Sequence, residues 1–541
     1  MERRSVSGPD VVDLLITGGT LVDGSGAPPR PGTVASLDGR LHIAEADWRP
    51  AQAGRTIDAT TMVVAPGFID LHSHGGLVIL ADPRHEPKVR QGVTTEVIGV
   101  DGNGYAPFTD PADLAAFVEL NAGLDGRPDI AYDWSSVASY IGRYDRGQAV
   151  NVAVVIGNSA LRIGAIGWDD TGADDQSVAN MRAMLREALA EGAFGISSGL
   201  DYPPGSYAST DELAALTAEA AKAGGFYHTH VRYGLGDRFL DPFREAIEIG
   251  RRGDGPVHLT HFYHRQTHPG GPEQLLALVD DAREAGMDVT FDSYPSEWAS
   301  TRLLIQLPQW VQAGGPMRLK ERLADDAVRG RLRAEVAARG AAYTGPAGWA
   351  DIRLGAFTQP DHLRWESSTL ADVMEETGND AVDALCDLLL AENLGVAQVT
   401  SGPWSETLPH FVRHPVGMVG TDSTFLGEKP SPRTYGSFPR ILGQFVRDEQ
   451  LLSLEEAVRK MTGAPAARLG LTDRGLLRDG YTADLVVLDP ARVRSNATYD
   501  QPRRYPDGIA YVAVNGELVV DGAAHTGALP GRALRRGRHS R

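Results

Sequence analysis

The sequence predicts an α/β protein: a (β/α)₈ barrel in the middle of the chain and a small β-domain assembled from both ends. Strand-then-helix units repeat over most of the 541 residues, and the two ends read as short strands with turns. The ends of several apolar runs carry His or Asp, as barrel strands do when their C-terminal ends build a site. A doubly wound open sheet is the alternative that the alternation leaves open.

Residues 12–16 and 20–22 are strand-like, parted by Gly18-Gly19 and followed by a Gly- and Pro-rich stretch over 24–31. Strand candidates follow at 93–100, 150–156, 193–196, 226–231, 257–260, 289–291 and 418–421. Helices alternate with them, one over 175–191. Another opens on Ser209-Thr210-Asp211-Glu212, a capping-box pattern, and stops at Gly224-Gly225. Residues 296–355 fit the alternation poorly and are expected to form an insertion over the barrel mouth. Residues 483–488, 509–514 and 518–520 return to strand character, with Asn515-Gly516 as a hairpin turn. The expected organisation is 1–65 as the N-terminal part of the β-domain, 66–470 as the barrel, and 471–541 as the C-terminal part with a basic tail from 532.

The balance of 52 Lys+Arg against 71 Asp+Glu gives a net charge of −19, which argues against binding nucleic acid or anionic membranes. The single cysteine, Cys386, excludes an internal disulfide and a Cys-rich structural zinc site, and its apolar surroundings make it a core residue. With no secretory leader and no membrane-length apolar run, the chain reads as cytoplasmic. Homo-oligomerisation is left open.

Chemistry concentrates in six residues. His72 and His74 lie at i and i+2 after an apolar run, so on a strand they share a face and can hold one divalent metal. His230 and His261 close later apolar runs, Asp422 closes another, and Asp101 follows 93–100. The alternative readings are ordinary ones: backbone-bonded His at strand ends, a helix cap at Asp422, turn chemistry at Asp101-Gly102. Parity sets His228 one layer below His230 and turns His258 outward, away from the face of His261. Gly195-Ile196-Ser197-Ser198-Gly199 fits a serine-nucleophile pattern, but Asp201-Tyr202-Pro203-Pro204 cannot start the helix that such an elbow needs.

With these residues in view, Ala65-Pro66-Gly67-Phe68-Ile69-Asp70-Leu71-His72-Ser73-His74 resembles the first-strand motif of the amidohydrolase superfamily. Residues 92–95, 199–205, 229–232, 435–440 and 483–490 resemble the N-acyl-D-amino-acid deacylases, or D-aminoacylases, and the likeness spans about 12–535. The resemblance implies a TIM-like barrel with a small β-sandwich from both termini. It also implies a tightly held zinc with a weaker second metal position, His230 and His261 serving the tight site, His72 and His74 the other, and Asp422 as catalytic acid/base. Asp101 stands where the family has a metal-binding Cys; carboxylate oxygen still binds Zn²⁺ and admits Mn²⁺ or Fe²⁺ more readily. Gly76, Asn158 and Tyr263 also depart from the family pattern, Tyr263 replacing a Lys linked to the substrate carboxylate. Tyr263, Tyr294, Arg232 and Tyr202 are the expected substrate contacts.

The reading is therefore a metal-dependent hydrolase of a small-molecule amide, giving a carboxylate and a D-amino acid. Its rivals are a hydantoinase- or dihydroorotase-like hydrolase of cyclic amides, a serine hydrolase using Ser198 or Ser197, and a barrel that serves as a non-catalytic scaffold.

Overall fold

The computed structural model describes residues 8–339 and 345–537. Eight parallel strands close a barrel in chain order: Phe68–Asp70, Val93–Ile98, Asn151–Val154 with Ile156–Gly157, Gly195–Gly199, Phe226–His230, Val257–Leu259, Val289–Ser293 and Gly417–Val419. Parallel ladders join successive strands, such as Ser197↔His228 and His228↔His258, and a Ser73↔Ser423 bridge closes the eighth strand onto the first. These strands are buried on both faces, which is why they read as nearly continuous apolar runs.

Helices cover the barrel. Asp175–Ala190 starts where the Asp174 carboxylate accepts from the Ser177 N–H at 2.8 Å, and Thr210–Lys222 where Ser209 Oγ accepts from Glu212 N–H. The Glu212 side chain does not complete the expected box: it turns inward to pair with the buried Arg162. A buried guanidinium demands a charged partner more than a helix terminus needs a second cap. Cys386 is fully buried in the helix Ala381–Ala391.

The chain ends share one nine-stranded sheet. Val63–Pro66 pairs antiparallel with Leu485–Leu488, joining the N-terminal strands to Ile509–Val514 and Glu517–Asp521. Leu14, Ile16, Val34, Ile57, Leu485 and Val487 give this sheet a core of its own. The hairpin turn Asn515-Gly516 has φ of 51° and 91°, both left-handed, as a two-residue turn matched to strand twist requires.

Between the seventh and eighth barrel strands lies an insertion longer than 296–355. Trp298–Arg302 and Arg353–Gly355 both pair antiparallel with Ala397–Ser401, so the inserted sheet is complete only near residue 401. Leu304, Leu319, Leu354, Leu385 and Leu389 pack beneath it in a second core. Ala299, Thr301 and Thr400 of this sheet roof the barrel mouth.

Candidate metal centre and active site

His72, His74, Asp101, His230, His261 and Asp422 converge at the C-terminal mouth of the barrel, and all are buried. Asp101, His261 and Asp422 have φ of 53°, 33° and 47°. Left-handed backbone at non-glycine residues costs of order 1–3 kcal/mol and persists where the surroundings over-determine it. Here the strand stops and the next residues turn back over the mouth. Asp422 is held by its N–H donating to His72 O at 2.8 Å. Gly199 lets the chain pass Asp101, since a Cβ there would lie 1.9 Å from the Asp101 carbonyl oxygen. That close approach accounts for the glycine after Ser197-Ser198.

The same break in the sixth strand overturns the parity reading of His258. It lies inside, stacked on His228 at 5.3 Å, with Nε2 3.0 Å from Asp292 Oδ2 and Nδ1 2.8 Å from Thr290 Oγ1. Regular alternation ends at Leu259, so parity no longer separates His258 from His261.

One atom lies at the centre of the site. Asp101 Oδ2 is 3.3 Å from His72 Nε2, 3.6 Å from His74 Nε2, and 3.7 Å from both His230 Nδ1 and His261 Nε2. The opposite nitrogen of each ring faces an outer group. His72 Nδ1 is 3.4 Å from Asp292, His74 Nδ1 2.9 Å from Asp125, His230 Nε2 3.0 Å from Asp201, and His261 Nδ1 3.1 Å from the Tyr233 hydroxyl. The inner nitrogens of His230 and His261 lie 2.9 Å apart; in neutral rings the outer groups would take the N–H and leave inner nitrogens for a cation. The donors form two sets sharing Asp101, one with His72, His74 and Asp422 and one with His230 and His261; within each, the ligand atoms lie within 4.8 Å of one another. Imidazole and carboxylate donors suit zinc and harder divalent ions alike, so these residues fit one or two such ions.

The carboxylates around the rings favour positive charge among them, so a cation bound there would compete with protons. Burial opposes charge on every group here, yet Asp101, Asp292 and Asp422 outweigh it at His72, whose pKa is raised to about 10. His230 is raised to about 9 against the same burial by Asp101 and Asp201. For His261, burial dominates and the value falls. Asp422 is held at about 2: burial would raise it, but Arg433, with Nη1 2.8 Å from Oδ2, and then His72 prevail. Asp422 Oδ1 also lies 3.3 Å from His74 Nε2.

Tyr202, Tyr263 and Tyr294 line the cavity above these groups, with Tyr233 and Arg265. Arg232 does not. Its guanidinium is spent on Glu245 at 3.1 Å and on the carbonyls of Ser206 and Ala208 at 2.5 and 2.8 Å. Ser198 Oγ meets the hydroxyls of Tyr227 and Thr229 at 2.7 and 2.9 Å, and Ser197 bonds Gly99 O and Gly102 N–H. Neither serine has the histidine partner that an activated nucleophile needs. Asn158 donates to Gly205 O, and Gly76 opens a short helix.

Sequence reasoning missed the outer acceptors Asp125, Asp201, Asp292 and Tyr233, and the cation Arg433. Asp201 stands inside the noticed segment 199–205, and Asp292 directly follows the strand candidate 289–291. Asp125 and Arg433 lie in loops or helices with no local pattern, found only by their contacts.

Residues 55–520 match the amidohydrolase family model. An N-acyl-D-aspartate deacylase of Alcaligenes xylosoxydans xylosoxydans is 34% identical, covering 97% of this chain and 95% of that protein. The crystal structure of an N-acyl-D-glutamate deacylase from Bordetella bronchiseptica, complexed with zinc and a phosphonate mimic of the tetrahedral intermediate, superposes with a TM-score of 0.80. It is 32% identical, over 97% of this chain and 99% of that one. A D-aminoacylase with a binuclear metal centre, described as activated by one metal and attenuated by a second, gives 0.79 at 30% identity, over 97% and 100%. No helix among the described residues is long and apolar enough to cross a membrane.

Proposed function

Since the chain belongs to the amidohydrolase family, we propose that it is a metal-dependent deacylase that hydrolyses N-acyl-D-amino acids to a carboxylate and a D-amino acid. The observation that carries the proposal is the convergence of four inner imidazole nitrogens on Asp101 Oδ2, with Asp125, Asp201 and Tyr233 behind three of the rings. His72, His74, Asp101, His230 and His261 would hold one or two divalent ions, Zn²⁺ first among them. Such an ion supplies Lewis-acid chemistry, polarising an acyl carbonyl and making water acidic near neutral pH.

Asp422 does the proton work. An amide nitrogen cannot leave as an anion, so a base must take the proton of the attacking water and return it to that nitrogen. With its pKa at about 2, Asp422 is ionised and ready to accept at neutral pH. Arg433 fixes Oδ2 and leaves Oδ1 toward the histidines, where it can exchange the proton. Tyr202, Tyr263 and Tyr294, under the inserted sheet, shield the reacting amide from bulk water and orient it.

The cavity between these walls measures about 40 Å³. That admits only a few waters, so the bulkier parts of a substrate must extend outward. The test is a screen of metal-loaded enzyme on N-acetyl-D-amino acids, their L-enantiomers, and hydantoins. Turnover of the D-series at least 100-fold above the others is expected. Hydantoin hydrolysis without deacylation would overturn the proposal.

A further inference from the structure

We propose that Thr421 is a positioning residue for the reaction: it sets the reach of Asp422 by tying the exit of the eighth barrel strand to Asp70 of the first. The inference rests on the reading of Asp422 as the proton carrier and adds to it the group that holds that carboxylate in place.

Thr421, Asp70 and Lys88 are fully buried, and none of the three lines the cavity above the metal-binding residues. Asp70 grips Thr421 with both oxygens. Its Oδ1 accepts from the Thr421 N–H at 2.9 Å and its Oδ2 from the Thr421 hydroxyl at 2.6 Å. Oδ1 also accepts from the His72 N–H at 3.2 Å. One carboxylate thus fixes the backbone of a metal-binding His and of the residue directly before Asp422. Lys88 compensates the buried charge, bonding Asp70 Oδ2 and donating to Thr421 Oγ1 at 2.7 Å. The threonine hydroxyl therefore both donates and accepts, and its β-branched side chain is stiff about χ1.

Asp422 needs such a hold. Its φ of 47° is costly for a residue other than glycine and persists only where its surroundings enforce it. Arg433 anchors Oδ2 at 2.8 Å, while Oδ1 lies 3.3 Å from His74 Nε2 and 3.5 Å from His72 Nε2. Arg433 secures the far end of the side chain; Thr421 secures the peptide from which it springs. A displacement of about 1 Å at a reacting group can cost about 100-fold in rate. Relaxing that peptide should slow proton transfer while leaving substrate contacts intact.

Thr421→Val keeps the branched shape and removes the hydroxyl, whereas Thr421→Ser keeps the hydroxyl. Wild type and both variants, matched for bound metal and held well below their melting temperatures, are assayed on the N-acetyl-D-amino acid or hydantoin that the wild type cleaves fastest. Thr421→Val should lower kcat about 10–100-fold with KM within about threefold, and Thr421→Ser should keep kcat within about threefold of wild type. In an Asp422→Asn background the Val substitution should cost less than about twofold more, because its effect passes through the carboxylate. Undiminished kcat in Thr421→Val, an equal loss in Thr421→Ser, or the same loss with and without Asp422 overturns the inference alone. Should Thr421→Val fail to fold, Thr421→Ala carries the same expectations. Cleavage of hydantoins alone overturns the deacylase reading, and the variant ratios on that substrate decide the inference. Undiminished turnover in Asp422→Asn overturns the proton-carrier reading and the inference with it.

Discussion

Replacing Asp201 probes whether the outer acceptors prepare the histidines for metal. Asp201 Oδ2 lies 3.0 Å from His230 Nε2, and its other oxygen is buried without a hydrogen-bond partner, so the carboxylate serves this one ring. Asn keeps the shape and a carbonyl acceptor but removes the charge; the charged bond exceeds a neutral one by about 1–1.5 kcal/mol. That predicts a roughly tenfold loss of metal affinity for Asp201→Asn and up to about 100-fold for Asp201→Ala. The loss must depend on pH. In the metal-free protein His230 is raised to about 9, partly by Asp201, so at pH 7 a metal must displace a proton. Asp201→Asn lowers that pKa and relieves the competition, which hides part of the loss at pH 7. Near pH 10 the ring is already neutral and the full loss appears. Chelator-competition titrations at pH 7 and 10 measure both values. Equal affinity in wild type and variants, or a deficit that shrinks as pH rises, would refute the reasoning.

Asp422→Asn should lower kcat by about 10²–10⁴-fold while metal content stays within twofold, measured by kinetics and elemental analysis; retained turnover would remove Asp422 from the proton path. Asp101→Cys should shift preference toward Zn²⁺ over Mn²⁺, read from competitive loading, because thiolate is the softer donor. Lys88 bonds Asp70, bonds Thr421 at 2.7 Å and lies 3.8 Å from Glu96, all of them buried. Lys88→Met leaves the buried Asp70 carboxylate without a cation, while His85 still pairs with Glu96 at 2.7 Å, and should cost about 3–5 kcal/mol in denaturant unfolding; a loss under 1 kcal/mol would mean that the pair is already neutral.

The barrel was legible because its strands are apolar on both faces and several end in a His or Asp. His230 could be placed by strand periodicity, and His72 and His74 by their i, i+2 spacing just past the strand Phe68–Asp70. His258 could not, because its strand is only three residues long and a left-handed turn follows at His261. The insertion was underestimated because its closing strand, Ala397–Ser401, pairs across roughly a hundred residues with Trp298–Arg302. Arg232 looked like a substrate contact from its place beside His230, but residue order does not reveal that Glu245 and two carbonyls consume its donors. Arg433 and Asp125 become meaningful only once folding sets them beside Asp422 and His74.

Crystals grown with zinc and measured at its absorption edge address the metal centre directly. Anomalous density should place an ion about 2.0–2.2 Å from Asp101 oxygen and from imidazole nitrogens of His230 and His261 or of His72 and His74. Anomalous density confined to other sites, with these side chains still closed upon one another, would contradict the account.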